Sequence, residues 1–234
     1  MTDLVLGLLH TGRSHCDRFG ALLQELAPPD VTWVQSVRED LLQAALDEVS
    51  EGRQTASIGT ALGALRDKGA AQILCTCSSI GRLAEMTGAR LQVPTLRVDR
   101  PMAERAIAAG RHILVVACLT STLLPTAALL RDCAAAADRE VEIETMLLPM
   151  AWRWFQEGNE PAFHRAIAAG VLDSALTADA VVLAQASMAP AAALLAELKV
   201  PVLSSPRLGV QAALSRLTGR WRETESHGVE GRRA

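Results

Sequence analysis

The stretch Asp3-Leu-Val-Leu-Gly-Leu-Leu-His10-Thr11 returns later in the chain as His112-Ile-Leu-Val-Val-Ala-Cys-Leu119-Thr120, an offset of 109 from Thr11 to Thr120. Each is a short apolar run of strand type that closes on polar residues and opens into a helical pattern. Two more pairs keep the same order and nearly the same spacing. Ala71-Gln-Ile-Leu-Cys-Thr-Cys77-Ser-Ser79 is matched by Asp179-Ala-Val-Val-Leu-Ala-Gln185-Ala186-Ser187 at an offset of 108, and Val93-Pro94-Thr-Leu96 by Val200-Pro201-Val-Leu203 at 107. Any α/β chain repeats its strand-turn-helix units, but three matched segments in one order point to an internal duplication.

Working outward from these pairs, strands are expected at Leu4-His10, Val31-Gln35, Gln72-Cys75, Thr95-Val98, Ile113-Ala117, Val141-Met146, Val181-Ala184 and Val202-Ser204. Amphipathic or Ala/Leu-rich helical stretches lie between them, at Leu41-Val49, Thr60-Arg66, Ala103-Ala109, Leu124-Ala136 and Glu160-Ala175. Such alternation predicts an α/β fold of two pseudo-symmetric lobes, each a mainly parallel sheet flanked by helices, with the site between them. The first lobe is expected over residues 1–98, with a C-terminal helix 207–234 packing back on it, and the second over 99–206. The polar end of the tail, from Gly219, is expected to fray. Ligands of open α/β sheets bind beyond the carboxyl ends of the strands, which sets Cys77 and Gln185 opposite one another.

Hydrophobic residues make up 50% and charged residues 21% of the 234, a balance typical of a folded globular chain. A net charge of −3 and the lack of a basic run interleaved with aromatics argue against nucleic acid as a partner. The first residues carry no basic leader or small-residue cleavage site, so no signal peptide is expected. Polar residues and prolines interrupt the longest uncharged stretches, His112 to Leu130 and Ala180 to Ala196, so no membrane span is expected. Five cysteines in such a chain suit free thiols in a reducing compartment, the cytoplasm.

Cys77 follows the third expected strand, Gln72-Cys75, and precedes Ser78 and Ser79, which suit the N-cap of a helix over Ile80-Met86. A thiol beside unpaired helix N–H groups and the positive end of the dipole is favoured as thiolate. Cys75-Thr76-Cys77 leaves open a metal or redox pair, although no second Cys/His cluster accompanies it. Cys16, Cys75, Cys118 and Cys133 read as small buried hydrophobes. Trp152, Trp154 and Phe155 cluster in a chain with only 3% aromatics, as a pocket wall or, by preference, a packed interlobe or dimer surface. Asp99 and Arg100 suit an interlobe salt bridge. His15, His112, His164 and His227 show no spacing that suggests a site.

The segment Gly69 to Gly81 around Cys77 resembles the first active-site motif of the aspartate/glutamate racemase superfamily. Ala178-Asp-Ala-Val-Val-Leu-Ala-Gln185-Ala186-Ser187-Met188 is similar to its second, with Gln185 where the family usually has Cys. Gly7-Leu-Leu-His10-Thr11 looks like the family's first strand and loop, Ala117 to Thr122 like the Thr/Ser loop opening the second lobe, and Arg97 to Ala103 like its crossover segment.

The resemblance reaches to about Leu217. It implies cofactor-independent chemistry next to a carboxylate, with no metal, as in racemases, hydantoin racemases, maleate isomerases and arylmalonate decarboxylases. It also implies a small carboxylate substrate; the further partner expected of the chain is a second copy of itself in a homodimer. In the racemases two cysteines work as base and acid on opposite faces; a Gln amide cannot exchange a proton at neutral pH. Cys77 is thus expected to act alone, as a racemase- or isomerase-like or a decarboxylase-like catalyst, with a catalytically silent carboxylate binder as the alternative. His10 stands where glutamate racemases carry an Asp that assists the first Cys. Thr11, Ser78, Ser79, Thr120, Ser121, Thr122, Gln185, Ala186 and Ser187 are the expected substrate contacts.

Overall fold

The computed structural model describes residues 4–174 and 177–219. Two four-stranded sheets, all parallel, form its centre. The first contains β1 (Leu4–His10), β2 (Val31–Val37), β3 (Gln72–Cys75) and β4 (Thr95–Arg97), in the order β2-β1-β3-β4. The second contains β5 (His112–Ala117), β6 (Glu142–Leu147), β7 (Ala180–Leu183) and β8 (Val202–Ser204), in the order β6-β5-β7-β8. The orders are the same once the second set is renumbered, so the duplication seen in the sequence is a duplication of fold.

Helices cover both faces of each sheet because strand side chains alternate. Leu6 and Leu8 of β1 pack toward Phe19 and Leu23 of α1 (Ser14–Leu26), whereas Leu9 packs toward Ile58, Leu62 and Leu65 of α3 (Glu51–Asp67). α2 (Glu39–Leu46) and α4 (Ser78–Arg90) complete the α3 face. In the second lobe Ile113, Val115 and Ala117 of β5 face α5 (Arg100–Ala109) and α6 (Thr120–Ala136). Leu114, Val116 and Cys118 face α7 (Pro149–Gln156), α8 (Glu160–Ser174) and a 3-10 segment, Ala186–Leu195.

The last helix of each half crosses over. α5 follows β4 in the chain but packs on β7, β8 and α6, and α9 (Ser205–Leu217) follows β8 but packs on β1, β3 and α1. Val210, Ala213 and Leu214 of α9 thereby join the core built on Leu6, Leu8 and Leu74. Residues 220–234, and with them the expected end of the C-terminal helix and its frayed tail, lie outside the described residues.

Most strand ends fall within two residues of expectation, but most of the expected helices start earlier, α8 at Glu160 excepted. α3 begins at Glu51 and α6 at Thr120, with Pro125 inside the helix. Among the described residues no helix is long and apolar enough to cross a membrane.

Candidate functional site

Cys77 follows β3 in extended backbone (φ −117°, ψ 119°) and is itself the N-cap of α4, which starts at Ser78. That shifts by a residue or two the cap expected at Ser78 and Ser79. Gln185 follows β7 with matching dihedrals (φ −105°, ψ 139°) and is the N-cap of the 3-10 segment. The two lobes therefore deliver Cys77 and Gln185 by the same strand-to-helix turn. Both line one cavity of about 760 Å³.

Thr11, Ser78, Ser79, Ser121, Thr122, Ala186 and Ser187 line the same cavity, as expected from the sequence. Thr120 does not: it opens α6 on the exposed side, while its neighbours Leu119, Ser121 and Thr122 turn inward. The Ser79 hydroxyl is already engaged, donating to the carbonyl of Ser121 at 3.0 Å and so tying α4 to α6 across the lobes. Ser187 is held from behind by His164, whose Nε2 lies 3.1 Å from the Ser187 carbonyl.

His10 is not among the residues that line the cavity with Cys77. The alternation that buries Leu6 and Leu8 also turns His10 inward, fully buried, with its ring 5.8 Å from that of Phe19. Its Nε2 lies 2.8 Å from Gln35 Oε1 and its Nδ1 2.8 Å from Thr76 Oγ1. It is a structural ligand of Thr76, and burial, opposed by the Gln35 bond, holds its pKa below the usual value.

The histidine at the cavity is His15, which carried no signal in its spacing. Its Nδ1 is 3.2 Å from Thr76 Oγ1. The protons can be assigned along the chain of bonds. Gln35 Oε1 can only accept, so His10 Nε2 carries hydrogen and its Nδ1, in the neutral ring, accepts from the Thr76 hydroxyl, which shares its proton with the Leu9 carbonyl at 3.2 Å. Thr76 Oγ1 then accepts from His15 Nδ1–H, leaving His15 Nε2 with a bare lone pair. That nitrogen has no hydrogen-bond partner among the described residues. Burial, with the His10 and Arg18 charges, lowers the His15 pKa to about 4, so the ring is neutral near pH 7.

Under the first turn of α4 lies a buried ion pair. Arg97 Nε donates to Asp99 Oδ1 at 2.6 Å and its Nη2 to Asp99 Oδ2 at 2.8 Å, with a further 3.3 Å bond to the carbonyl of Ser78. Gly81 permits the approach, since a Cβ there would stand 3.0 Å from Arg97 Cβ and Nε. The interlobe salt bridge expected of Asp99 and Arg100 is made by Arg100 alone, to Glu85 of α4.

The remaining cysteines sort by burial. Cys75 is fully buried with Sγ 3.7 Å from the carbonyl oxygen of Cys77. Burial raises the thiol pKa of Cys75 well above its usual value, that of Cys118 to about 12 and that of Cys133 to about 11. Cys16, expected to be buried, is only half-buried. Among the described residues no three His, Cys, Asp or Glu side chains gather as metal ligands would. Trp152 and Phe155, expected mainly as packing, do both jobs: they stack at 4.6 Å, lean on the second-lobe core and line the cavity. Trp154 points outward.

Among curated proteins no sequence match is found. Solved structures share the fold at low identity. The aspartate racemase of Picrophilus torridus aligns at 14% identity over 93% of this chain and 94% of its own, with a TM-score of 0.65. A glutamate racemase isoform of Bacillus anthracis aligns at 14% over 94% and 84%, with 0.67. A mutant of arylmalonate decarboxylase aligns at 18% over 95% and 97%, with 0.61. The family described as Asp/Glu/Hydantoin racemase matches residues 7–213, and with lobes, turns and cavity arranged as above, the chain belongs to that family.

Proposed function

We propose that the protein is a cofactor-independent enzyme acting at the carbon α to a carboxylate, with Cys77 as its one thiol acid/base. The observation that carries this reading is the placement of Cys77 and Gln185 at equivalent turns on one cavity. The family and its racemase and decarboxylase relatives support the reaction class.

Charge that develops on a carboxylate as its α-carbon becomes planar needs fixed donors. The backbone N–H groups that open α4 and the 3-10 segment, the hydroxyls of Ser78 and Thr122, and the Gln185 amide are such donors. Cys77 gives its proton to the α-carbon of the enediolate on one face, and the thiolate left behind regains a proton from solvent. In the reverse direction the thiolate removes that proton. A decarboxylation follows the same course on an acid with a second carboxylate at the α-carbon: that carboxylate leaves as carbon dioxide, its bonding electrons pass into the enediolate of the one that stays, and Cys77 then protonates the carbon.

Gln185 cannot serve the second face, so a two-sided racemase cycle is not part of this proposal. The same substitution favours a second reading, a silent carboxylate binder. Candidate acids incubated in deuterated water separate the two. The enzyme is expected to introduce deuterium at the α-carbon with a single configuration, and Cys77→Ser to abolish exchange. Binding without exchange in the parent protein supports the silent binder, and efficient racemisation of both enantiomers overturns the one-thiol assignment.

A further inference from the structure

α2 and α7 are equivalent in the duplication, spanning Glu39–Leu46 and Pro149–Gln156, an offset of 110 at both ends. Each follows the edge strand of its sheet, and each turns one apolar face to the cavity. Leu42 and Leu46, one helical turn apart, come from the first lobe, and Trp152 and Phe155 from the second. The Trp152 and Phe155 rings stack on each other, 24° from parallel, and both line the cavity, so the second wall is aromatic. The donors near Cys77 and Gln185 form the polar end of the same cavity.

The charges around the cavity are also informative. Asp17 and Glu160 carry two negative charges and Arg18 one positive, while His15 is neutral, which leaves a net formal charge of −1. A diacid of the aspartate or glutamate type would press its side-chain carboxylate against the apolar walls of Leu42, Leu46, Trp152 and Phe155, at a desolvation cost that an apolar side chain does not carry.

From these walls and charges we infer that the cavity takes a monocarboxylate whose α-carbon bears a bulky apolar or aromatic group, held between α2 and α7. Small dicarboxylates of the aspartate or glutamate type do not fit this arrangement. The inference rests on the carboxylate reading of the cleft and adds its substrate class.

Isothermal titration of the full chain with 2-phenylpropanoate, propanoate, aspartate and benzyl alcohol tests it. 2-Phenylpropanoate is expected to bind about tenfold or more tighter than propanoate or aspartate, the factor that burying one aromatic ring supplies. Trp152→Ala and Leu46→Glu should each remove most of that advantage. Trp152 also touches the core near Phe163, so folding of its variant is checked by thermal unfolding. Leu46 is 50% exposed and lies outside the core clusters, so its variant keeps the test open if Trp152→Ala does not fold. Aspartate or propanoate binding as tightly as 2-phenylpropanoate, or an advantage that survives in the folded variants, overturns the inference. Benzyl alcohol binding as tightly as 2-phenylpropanoate leaves the apolar walls standing and overturns the carboxylate reading instead.

Discussion

Gln185 turns its side-chain Oε1 back onto the backbone N–H of Cys118, 2.5 Å away, so the ends of β7 and β5 are joined through the residue whose turn is equivalent to that of Cys77. With its oxygen committed, the amide has only N–H to offer the cavity. Gln185→Leu leaves the buried Cys118 N–H without a partner and should cost about 1–3 kcal/mol in urea unfolding. Gln185→Glu keeps an acceptor for Cys118 but replaces the amide donor by charge. Calorimetry should then show carboxylate binding weakened about tenfold or more. Unchanged binding would show that the amide is not a carboxylate donor.

Gln185→Cys places a thiol at the turn equivalent to that of Cys77. With an acid that the parent turns over, this variant should racemise the product in deuterated water faster than the parent does. No gain would mean that the second face needs more than a thiol at that turn.

Thiol labelling followed by mass spectrometry should divide the cysteines at pH 8. Cys75, Cys118 and Cys133, buried and raised in pKa, should label only on unfolding. Cys77, 7% exposed but lining the cavity, and the half-buried Cys16 should label in the native protein, and only Cys77 should be protected by a bound carboxylate. Equal protection of Cys16 would place the ligand elsewhere.

His15 and His10 should make the fold sensitive to mild acid. Their folded pKa values lie below the ordinary histidine value, so the unfolded chain binds more protons between about pH 6.5 and pH 4. Stability from this source is present above pH 6.5 and is lost as pH falls through that window, by at most about 3 kcal/mol from His15. Denaturant midpoints for the parent and His15→Asn should show a shallower slope in the variant. A parallel slope would mean that His15 is not held neutral. Nitrogen NMR of the parent should find the His15 proton on Nδ1.

Arg97→Met should be among the most damaging single changes. It strands Asp99 as a buried unpaired carboxylate and frees the Ser78 carbonyl, for an expected loss of roughly 3–5 kcal/mol. Asp99→Asn with Arg97→Met should recover part of that loss in a double-mutant cycle.

Periodicity was enough to find the parallel sheets, because the central strands are compact apolar runs between helical stretches and the edge strands β2 and β6 still alternate apolar with polar residues. The pairing of Cys77 with Gln185 followed from the duplication alone. His10 was misplaced although its own strand held the answer: it falls on the same alternation as the buried Leu6 and Leu8. His15 lies one turn before Phe19 in α1 and shares its inward face, a hint that four-residue spacing provides. That this face meets Thr76, 61 residues later, depends on how α1 lies across the sheet, which local pattern does not encode. Thr120 failed for a similar reason, since which residue of a helix's first turn points inward depends on the angle at which α6 leaves β5.

The crossing of α5 and α9 means that neither half of this chain closes its own core. A half ending at the close of α5 would carry Met102, Ala103, Ala106 and Ile107 as an uncovered apolar stripe, and its sheet would lack the cover that α9 gives. Two copies of such a half satisfy each other by exchanging their last helices, which is the arrangement of a domain-swapped dimer. The present chain holds the same arrangement within one polypeptide, so its two halves need not be identical, and one turn carries Cys77 where the other carries Gln185.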